Sequence, residues 1–223
     1  MSESVADQLQ QEIVDAGAVP GTKLATEARL AERFQVSRTV VREAARHLVQ
    51  RGLVTVAPGR GMVVAAFDGR LIAEQLGVQM KISGGSFPQL LELRLALEVQ
   101  ISTAAAQSPS PEMLDRLEEL ISRGRQLLDE SGPLDVPAFL EADIGFHEVL
   151  AQESGNPFFT LVCQPVNHAL RDHYMRQEGY PSSAERTLEE HLLILQALRR
   201  QDTFAARQAT EQHLTRLFIS EGE

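Results

Sequence analysis

The segment Val36–Leu48 constrains the fold more than any other stretch of the chain. Its apolar residues recur at intervals of three and four, which predicts an amphipathic helix with one buried face. A serine stands just before the helix, where its hydroxyl can accept a hydrogen bond from an otherwise unpaired backbone N–H. The serine is Ser37, and the predicted buried residues are Val41, Ala44, Ala45 and Leu48.

Polar and cationic residues of the same segment lie largely off this buried face. Long cationic side chains on a helix suit the base edges and phosphates of a DNA major groove. Three arginines alone are more typical of a helix that faces solvent, so the neighbouring segments must decide between the two interpretations. The candidate DNA-binding residues of this helix are Ser37, Arg38, Thr39, Arg42 and Arg46.

The flanking segments favour a winged helix-turn-helix. Glu27–Phe34 has the pattern of a second helix, separated from the first by a tight turn. Downstream, the β-branched runs Leu53–Val56 and Met62–Ala65 flank a glycine-containing turn and predict a hairpin. Arg60 stands at the tip of this wing, where we expect it to reach the minor groove.

The charge of the chain is unevenly distributed. The 223 residues carry a net charge of −10, which is unusual for a DNA-binding protein. Residues 1–67 nevertheless carry eight Lys and Arg against seven Asp and Glu, whereas residues 68–223 carry thirteen against twenty-four. The basic surface is therefore local, as groove binding requires, and the acidic remainder serves another purpose.

The positions of helix-breaking residues such as glycine and proline predict two domains and a mainly α-helical fold. Residues 1–67 form the winged helix-turn-helix, and its first helix spans Val5–Ala16. Residues 68–223 form an all-α bundle, with Asp68 as the cap of a linker helix over Arg70–Lys81. The stripe expected to be buried on the first helix is Val5, Leu9, Ile13 and Val14. The further predicted helices are Phe87–Gln107, Pro111–Glu130, Val136–Glu153, Pro157–Glu178, Ser183–Arg200 and Thr203–Glu221.

Four polar residues of the bundle occupy apolar helix stripes. An unpaired buried carboxylate is costly, and a buried imidazole needs a partner for each nitrogen. A single inward histidine is more often a core residue, but the set favours a divalent metal ion, which carboxylate and imidazole bind. We favour zinc, with nickel, manganese or cobalt as alternatives. The predicted ligands are Asp143, His147, His191 and His213.

Two further inward polar residues suggest a ligand beside the metal. Arg94 lies on a stripe of leucine and isoleucine, and a buried guanidinium favours a bidentate anion. It either pairs with Glu98 or holds the carboxylate of a small organic acid that also reaches the metal. Asn167 is a candidate for a hydrogen bond to the same effector.

Two classes of function account for these features. The first is a ligand-responsive transcription regulator that binds a pseudo-palindromic operator as a homodimer, because one short helix reads too few base pairs. The second is a metal-dependent enzyme with a DNA-binding appendage, but the chain has none of the common hydrolase motifs. A purely structural dimerisation domain is opposed by the inward polar set. One cysteine, no signal peptide and no long apolar run predict a cytoplasmic protein.

The N-terminal motifs resemble the GntR family of bacterial transcription regulators over about residues 5–66. The matching stretches are Pro20–Glu27, Leu30–Ala31, Val36–Ala44, Gly52–Val54 and Gly59–Gly61. The resemblance implies a winged helix-turn-helix that binds double-stranded DNA. One position departs from it: many relatives have a DNA-contacting arginine where this chain has Ala28, although Arg29 is adjacent.

The remainder, about residues 70–221, resembles the FCD domain, the ligand-binding domain of the FadR branch of GntR regulators. The matching stretches are Asp143–His147, Gly155–Pro157, Glu190–Leu198 and His213–Leu214. In metal-containing members an Asp-x-x-x-His pair and two later histidines hold one ion, and this chain has a residue at each position. Arg94 also matches a recurrent FCD arginine. The resemblance argues against an acyl-CoA effector, since relatives that bind acyl-CoA lack this ligand set.

Overall fold

The computed structural model describes residues 1–57, 61–176 and 183–220 and has the predicted mainly α-helical fold. The chain forms two compact units, Met1–Asp68 and Gly69–Glu223. The elements of the first unit are α1 (Ser2–Asp15), α2 (Glu27–Phe34), α3 (Arg38–Gln50), β1 (Val54–Ala57) and β2 (Gly61–Val64). Those of the second are α4 (Arg70–Ser83), α5 (Phe87–Gln107), α6 (Pro111–Asp129), α7 (Val136–Glu153), α8 (Pro157–Tyr174), α9 (Ala184–Arg199) and α10 (Thr203–Ser220).

Helices α2 and α3 form the predicted helix-turn-helix. Gln35 makes the turn between them with a left-handed backbone (φ +53°). The Ser37 hydroxyl accepts a hydrogen bond from the Val40 N–H at 3.3 Å and so caps α3. The predicted inner face of α3 is buried against α1 and α2, so its opposite face is left exposed.

The wing is an antiparallel hairpin of β1 and β2 in which Val54 pairs with Val64. Each strand is displaced by one residue from its predicted position. The segment before α2 joins the edge of this sheet, because the Leu24 N–H donates to the Met62 carbonyl. The turn between the strands, including Arg60, lies outside the described residues.

Helix α5 is the centre of the second unit and lies against α7, α8, α9 and α10. The largest apolar core, which includes Ile101, Leu117, Phe146, Ile194 and Leu198, forms around it. The linker helix α4 packs on α8. No helix in the described ranges is long and apolar enough to cross a membrane.

The helices α6, α7 and α8 begin close to the capping and proline residues from which their starts were predicted. The side chains of Ser110, Asp135 and Asn156 accept hydrogen bonds from backbone N–H groups at the starts of α6, α7 and α8. Each of these helices has a proline within its first two positions, where a missing N–H costs nothing. Local sequence therefore determines where these three helices begin.

Several details of the predicted helices were wrong. Helix α1 begins at Ser2, and Val14 is 63% exposed because one further residue rotates it about 100° from the buried Ile13. The N-terminal cap of α4 is Gly69 and not Asp68, and no side chain bonds there. Helix α8 ends at Tyr174, earlier than predicted, and the predicted end at residue 178 lies outside the described residues.

Two glycines of the linker helix segment test its packing on α8. A Cβ added at Gly69 would lie 2.7 Å from the Gln164 Cβ and 2.9 Å from the Pro165 nitrogen, whereas one added at Gly77 meets nothing described within 4 Å. We expect Gly69→Ala to lower the free energy of unfolding by roughly 1–3 kcal/mol through overpacking. Gly77→Ala should raise it by about 0.5–1 kcal/mol. Urea denaturation measures both, and equal effects would contradict the close approach of α4 to α8.

Candidate metal centre and nucleic-acid interface

Three histidines from three helices meet in the core of the second unit. His147 of α7, His191 of α9 and His213 of α10 are each at most 2% exposed. One ring nitrogen of each lies within 4.8 Å of the other two. The Nε2 atoms of His147 and His191 are 3.2 Å apart. The structure therefore brings together three of the four residues predicted as metal ligands.

Asp143, the fourth predicted ligand, lies one helical turn before His147. Its Oδ1 is 3.5 Å from the His191 Nε2, and the residue is 8% exposed. Phe146, between them in sequence, stacks on the His191 ring with centroids 4.1 Å apart and planes within 5°. Helix α7 thus supplies a carboxylate and an imidazole on one face and an aromatic ring that orients a second imidazole.

Two carboxylates hold the outer nitrogens of the cluster. The Nδ1 of His147 contacts Glu98 Oε2, and the Nδ1 of His213 lies 2.8 Å from Glu190 Oε2. Glu190 is itself held by Arg216, whose Nε lies 2.8 Å from Oε1. Carboxylates in this position fix the ring orientation of metal-binding histidines and raise their basicity. Sequence reasoning treated Glu98 only as a partner of Arg94 and missed Glu190, which precedes His191 directly.

Electrostatics keep both carboxylates charged. Burial opposes ionisation of Glu98, but the neighbouring Arg94 and His147 outweigh it and lower the pKa of Glu98 to about 2. Burial likewise opposes ionisation of Glu190, yet His213 and Arg216 lower its pKa to about 2. Each carboxylate therefore remains an acceptor for a ring N–H.

The pKa values of two imidazoles shift in the direction that metal binding requires. Burial, followed by the neighbouring histidines, lowers the pKa of His191 well below its usual value. Burial also lowers the pKa of His213, despite the opposing effect of Glu190. Both rings are therefore neutral at neutral pH, and a neutral imidazole is the form that binds a metal ion.

The donor set fits a divalent ion. Imidazole nitrogens bound to one ion at 2.0–2.1 Å stand about 3.0–3.4 Å apart, and the His147–His191 distance of 3.2 Å lies within this range. The inner nitrogen of His213, Nε2, is buried and forms no hydrogen bond within the described part of the chain. A metal ion would satisfy that nitrogen without repelling the other two.

Arg94 lies beside this centre, because its partner Glu98 also contacts His147. It is 2% exposed, and its Nε donates to Glu98 Oε1 at 2.6 Å, as the ion-pair interpretation predicted. Its Nη2 is buried without a hydrogen-bond partner among the described residues. One part of the guanidinium is thus used by Glu98 and another is available to a ligand.

Asn167 lies on the buried face of α8, on one stripe with Cys163 and Tyr174. Helix α8 packs against α5, which carries Arg94. Asn167 is 1% exposed, and neither its Oδ1 nor its Nδ2 bonds any described residue. The hydroxyl of Thr210, one turn before His213, is also buried and has no hydrogen-bond partner among the described residues. Such groups are rare in proteins unless a ligand or water satisfies them.

The outward face of α3 is a separate surface in the first unit. Its polar residues Ser37, Arg38, Thr39, Arg42 and Arg46 are all exposed. Arg42 Nε donates to Glu27 Oε2 at 2.9 Å, and Arg46 Nη1 donates to Glu43 Oε1 at 2.5 Å. These ion pairs are solvated and weak, so a DNA phosphate or base can replace them at little cost.

The fold and these surfaces define a winged helix-turn-helix transcription regulator with a second, all-helical ligand-binding domain. Residues 1–64 match bacterial regulatory proteins of the gntR family, and residues 89–216 match the FCD domain. The chain therefore belongs to the GntR family of bacterial transcription regulators and carries an FCD domain.

Individual relatives agree with this assignment. The transcriptional repressor NanR of Cronobacter sakazakii is 30% identical over 99% of this chain and 85% of its own length. The transcriptional regulator LutR of Bacillus subtilis is 31% identical over 88% of this chain and 90% of its own length. The structure of Streptococcus agalactiae GntR superposes with a TM-score of 0.76 at 27% identity, covering 99% of this chain and 100% of the other. The relatives are named as regulators, so the enzyme alternative is not supported.

The buried neutral histidines make stability depend on pH in the absence of metal. Below the unfolded pKa of about 6.5, unfolded His191 and His213 bind protons while the folded rings do not. We expect the free energy of unfolding, measured with a chelator, to decrease from pH 7.5 to 5.5 by about 1 kcal/mol for each ring. His191→Gln should show a smaller decrease than wild type. Identical decreases in the two proteins would contradict the burial of a neutral His191.

Proposed function

We propose that the protein is a transcription regulator that binds a pseudo-palindromic operator as a homodimer. A small carboxylate metabolite, bound at a divalent metal site in the FCD domain, controls this binding. The observation that carries the proposal is the buried cluster of three imidazoles beside polar atoms that no described residue satisfies. The proposed location is the cytoplasm, where a bacterial regulator meets its operator.

The proposed DNA contacts come from the exposed face of α3. Arg42 contacts bases and Arg38 and Arg46 contact bases or phosphates, with Ser37 and Thr39 at the N-terminal end of the helix. Arg60 of the wing is proposed for the minor groove from its sequence position alone. A dimer presents two such helices to two half-sites.

The proposed metal ligands are Asp143, His147, His191 and His213. Zinc is the favoured ion, and nickel, manganese and cobalt are alternatives, because occupancy by such ions depends on their availability. Bound there, the ion supplies a Lewis-acid centre for the oxygen atoms of an anion. Glu98 and Glu190 keep two of the imidazoles oriented with their inner nitrogens directed at the ion.

The proposed effector site adds Arg94 and Asn167 to the metal. The Nη2 of Arg94 donates to a carboxylate, and the amide of Asn167 bonds a neutral polar group of the same molecule. Asn167 lies two residues after Pro165, which Gly69 contacts at the start of the linker helix. A ligand that displaces α8 therefore also displaces α4, and through it biases DNA binding by its different affinity for the two states.

The DNA contact is tested by Arg42→Ala. We expect operator affinity to fall by roughly 1–3 kcal/mol with relaxed specificity, because a base contact is lost. Arg33→Ala is the matched control, since it removes an exposed arginine of α2 that pairs with Glu12 of α1 at 2.8 Å. Fluorescence anisotropy at constant salt measures both. Unchanged operator affinity in the Arg42 variant would refute this docking.

The metal site is tested by metal content and thermal stability together. We expect one divalent ion per chain in wild type and a lower content and a lower Tm in His191→Ala, because a ligand and its binding energy are lost. His47→Ala, on α3, should retain the full content. If elemental analysis found no metal in wild type, either as purified without chelator or after reconstitution, the site would be refuted.

The anion contact is tested by Arg94→Lys. The lysine ammonium keeps a positive charge for Glu98 but lacks the second donor of the guanidinium fork. In a thermal-shift screen of small organic acids, we expect carboxylates that stabilise wild type to lose their effect on this variant. A chelator should also abolish the effect in wild type. Equal stabilisation of both proteins by the same acid would exclude Arg94 as its binding residue.

A further inference from the structure

An ion pair between two helices contacts the arginine that is proposed to read bases. The Arg42 Nε donates to Glu27 Oε2 at 2.9 Å. Glu27 is the first residue of α2, whereas Arg42 lies on the outward face of α3. The neighbouring Arg46 is paired differently, because its partner Glu43 belongs to α3 itself. Glu27 therefore ties the Arg42 side chain to the second helix of the helix-turn-helix.

The fold, and not the arginine, sets the position of the Glu27 carboxylate. The Thr26 hydroxyl accepts a hydrogen bond from the Arg29 N–H at 3.4 Å and caps α2 directly before Glu27. A carboxylate in the first turn of a helix is also favoured by the helix dipole. Leu30, three residues further on, is 1% exposed and anchors α2 in the core that it shares with α3. The negative charge therefore remains beside Arg42 even when their hydrogen bond is broken.

The geometry of the pair leaves Arg42 able to read a base. The side chains of Arg42 and Glu27 are 64% and 39% exposed, and solvated ion pairs of this kind contribute little to stability. The contact uses Nε, so it does not occupy Nη1 or Nη2. Two such donors are what the O6 and N7 acceptors of guanine require in the major groove. Arg42 can therefore read a guanine while Glu27 keeps its Nε.

A phosphate on the same two donors is disfavoured, because a phosphate is charged and a guanine is not. A carboxylate on Nε and a phosphate on the Nη edge would share one guanidinium. Two like unit charges roughly 6 Å apart change a binding constant about threefold in water, and more where the dielectric constant is lower. The Glu27 charge thus opposes a contact that carries no sequence information, and it opposes the contact with a neutral base less.

We infer that Glu27 is a specificity-determining residue, which positions Arg42 for a guanine and weakens the contact of the same side chain with phosphate. The inference rests on the proposed binding of α3 to the operator. Removal of the Glu27 charge should therefore increase the affinity for DNA of any sequence, and it should do so most for DNA that is not the operator.

The test compares two variants that each remove one negative charge from the same surface. Glu27→Gln is the central variant, because glutamine keeps an acceptor for the Arg42 Nε but has no charge. Glu43→Gln is the control, since Glu43 pairs with Arg46 within α3. The probes are the duplex that the wild-type protein selects from a random-sequence library and a scrambled duplex of the same length and composition. Fluorescence anisotropy on the full-length protein measures both affinities over a range of salt concentrations.

The expected readout is the specificity ratio, which is the affinity for the selected duplex divided by that for the scrambled one. In Glu27→Gln this ratio should fall by about threefold or more. The complex with scrambled DNA should also gain about 0.9 in the logarithmic salt slope for each phosphate contact added. Glu43→Gln should keep the wild-type ratio. In an Arg42→Ala background, Glu27→Gln should change the ratio no more than Glu43→Gln does, because Glu27 acts through Arg42.

An unchanged ratio in Glu27→Gln would overturn the inference, as would an equal fall in Glu43→Gln or a full effect that persists without Arg42. If the wild-type protein selects no duplex, or if Arg42→Ala keeps the wild-type ratio, the proposed docking of α3 is refuted. If Arg42→Ala lowers the ratio and Glu27→Gln does not, the inference about Glu27 alone is refuted.

Discussion

The FCD domain depends on the burial of polar groups that an apolar core would exclude. Three imidazoles, a guanidinium and carboxylates are removed from water between α5, α7, α9 and α10. Each such group is costly unless another satisfies it. Glu98 contacts both Arg94 and His147, so one carboxylate holds together the proposed anion-binding residue and a proposed metal ligand. The polar atoms left over are those that a metal ion and a small acid would use.

The two units differ in their charge and in where they place their polar side chains. The first unit places Arg38, Arg42 and Arg46 on the exposed face of α3, where the ion pairs of Arg42 and Arg46 with acidic neighbours are solvated and weak. The second unit is acidic, and the groups proposed to bind metal and effector are buried inside it. Within it, Gly69 caps the linker helix and lies so close to α8 that an added Cβ would overlap Gln164 and Pro165. This close contact is the basis of the proposed coupling between α8 and the start of α4.

Sequence periodicity predicted most of this arrangement, because a 3.6-residue repeat shows which residues of a helix face inward. The face of α3 and the inward positions of His147, His191 and His213 were visible in this way. The residues that hold those histidines in place could not be predicted in this way. Glu190 holds His213, 23 residues away, only because α9 and α10 are rotated and aligned in one particular way. The relative rotation and alignment of two helices depend on packing across the whole bundle. They therefore leave no pattern in the local sequence.

X-ray absorption spectroscopy on the purified protein tests the central claim most directly. It should show a divalent first-row metal with the multiple scattering of three imidazoles and additional oxygen ligands at about 2.0–2.2 Å. A spectrum without imidazole scattering, or one dominated by the sulfur of Cys163, would contradict the proposed site. It would also remove the basis for metal-dependent recognition of an effector.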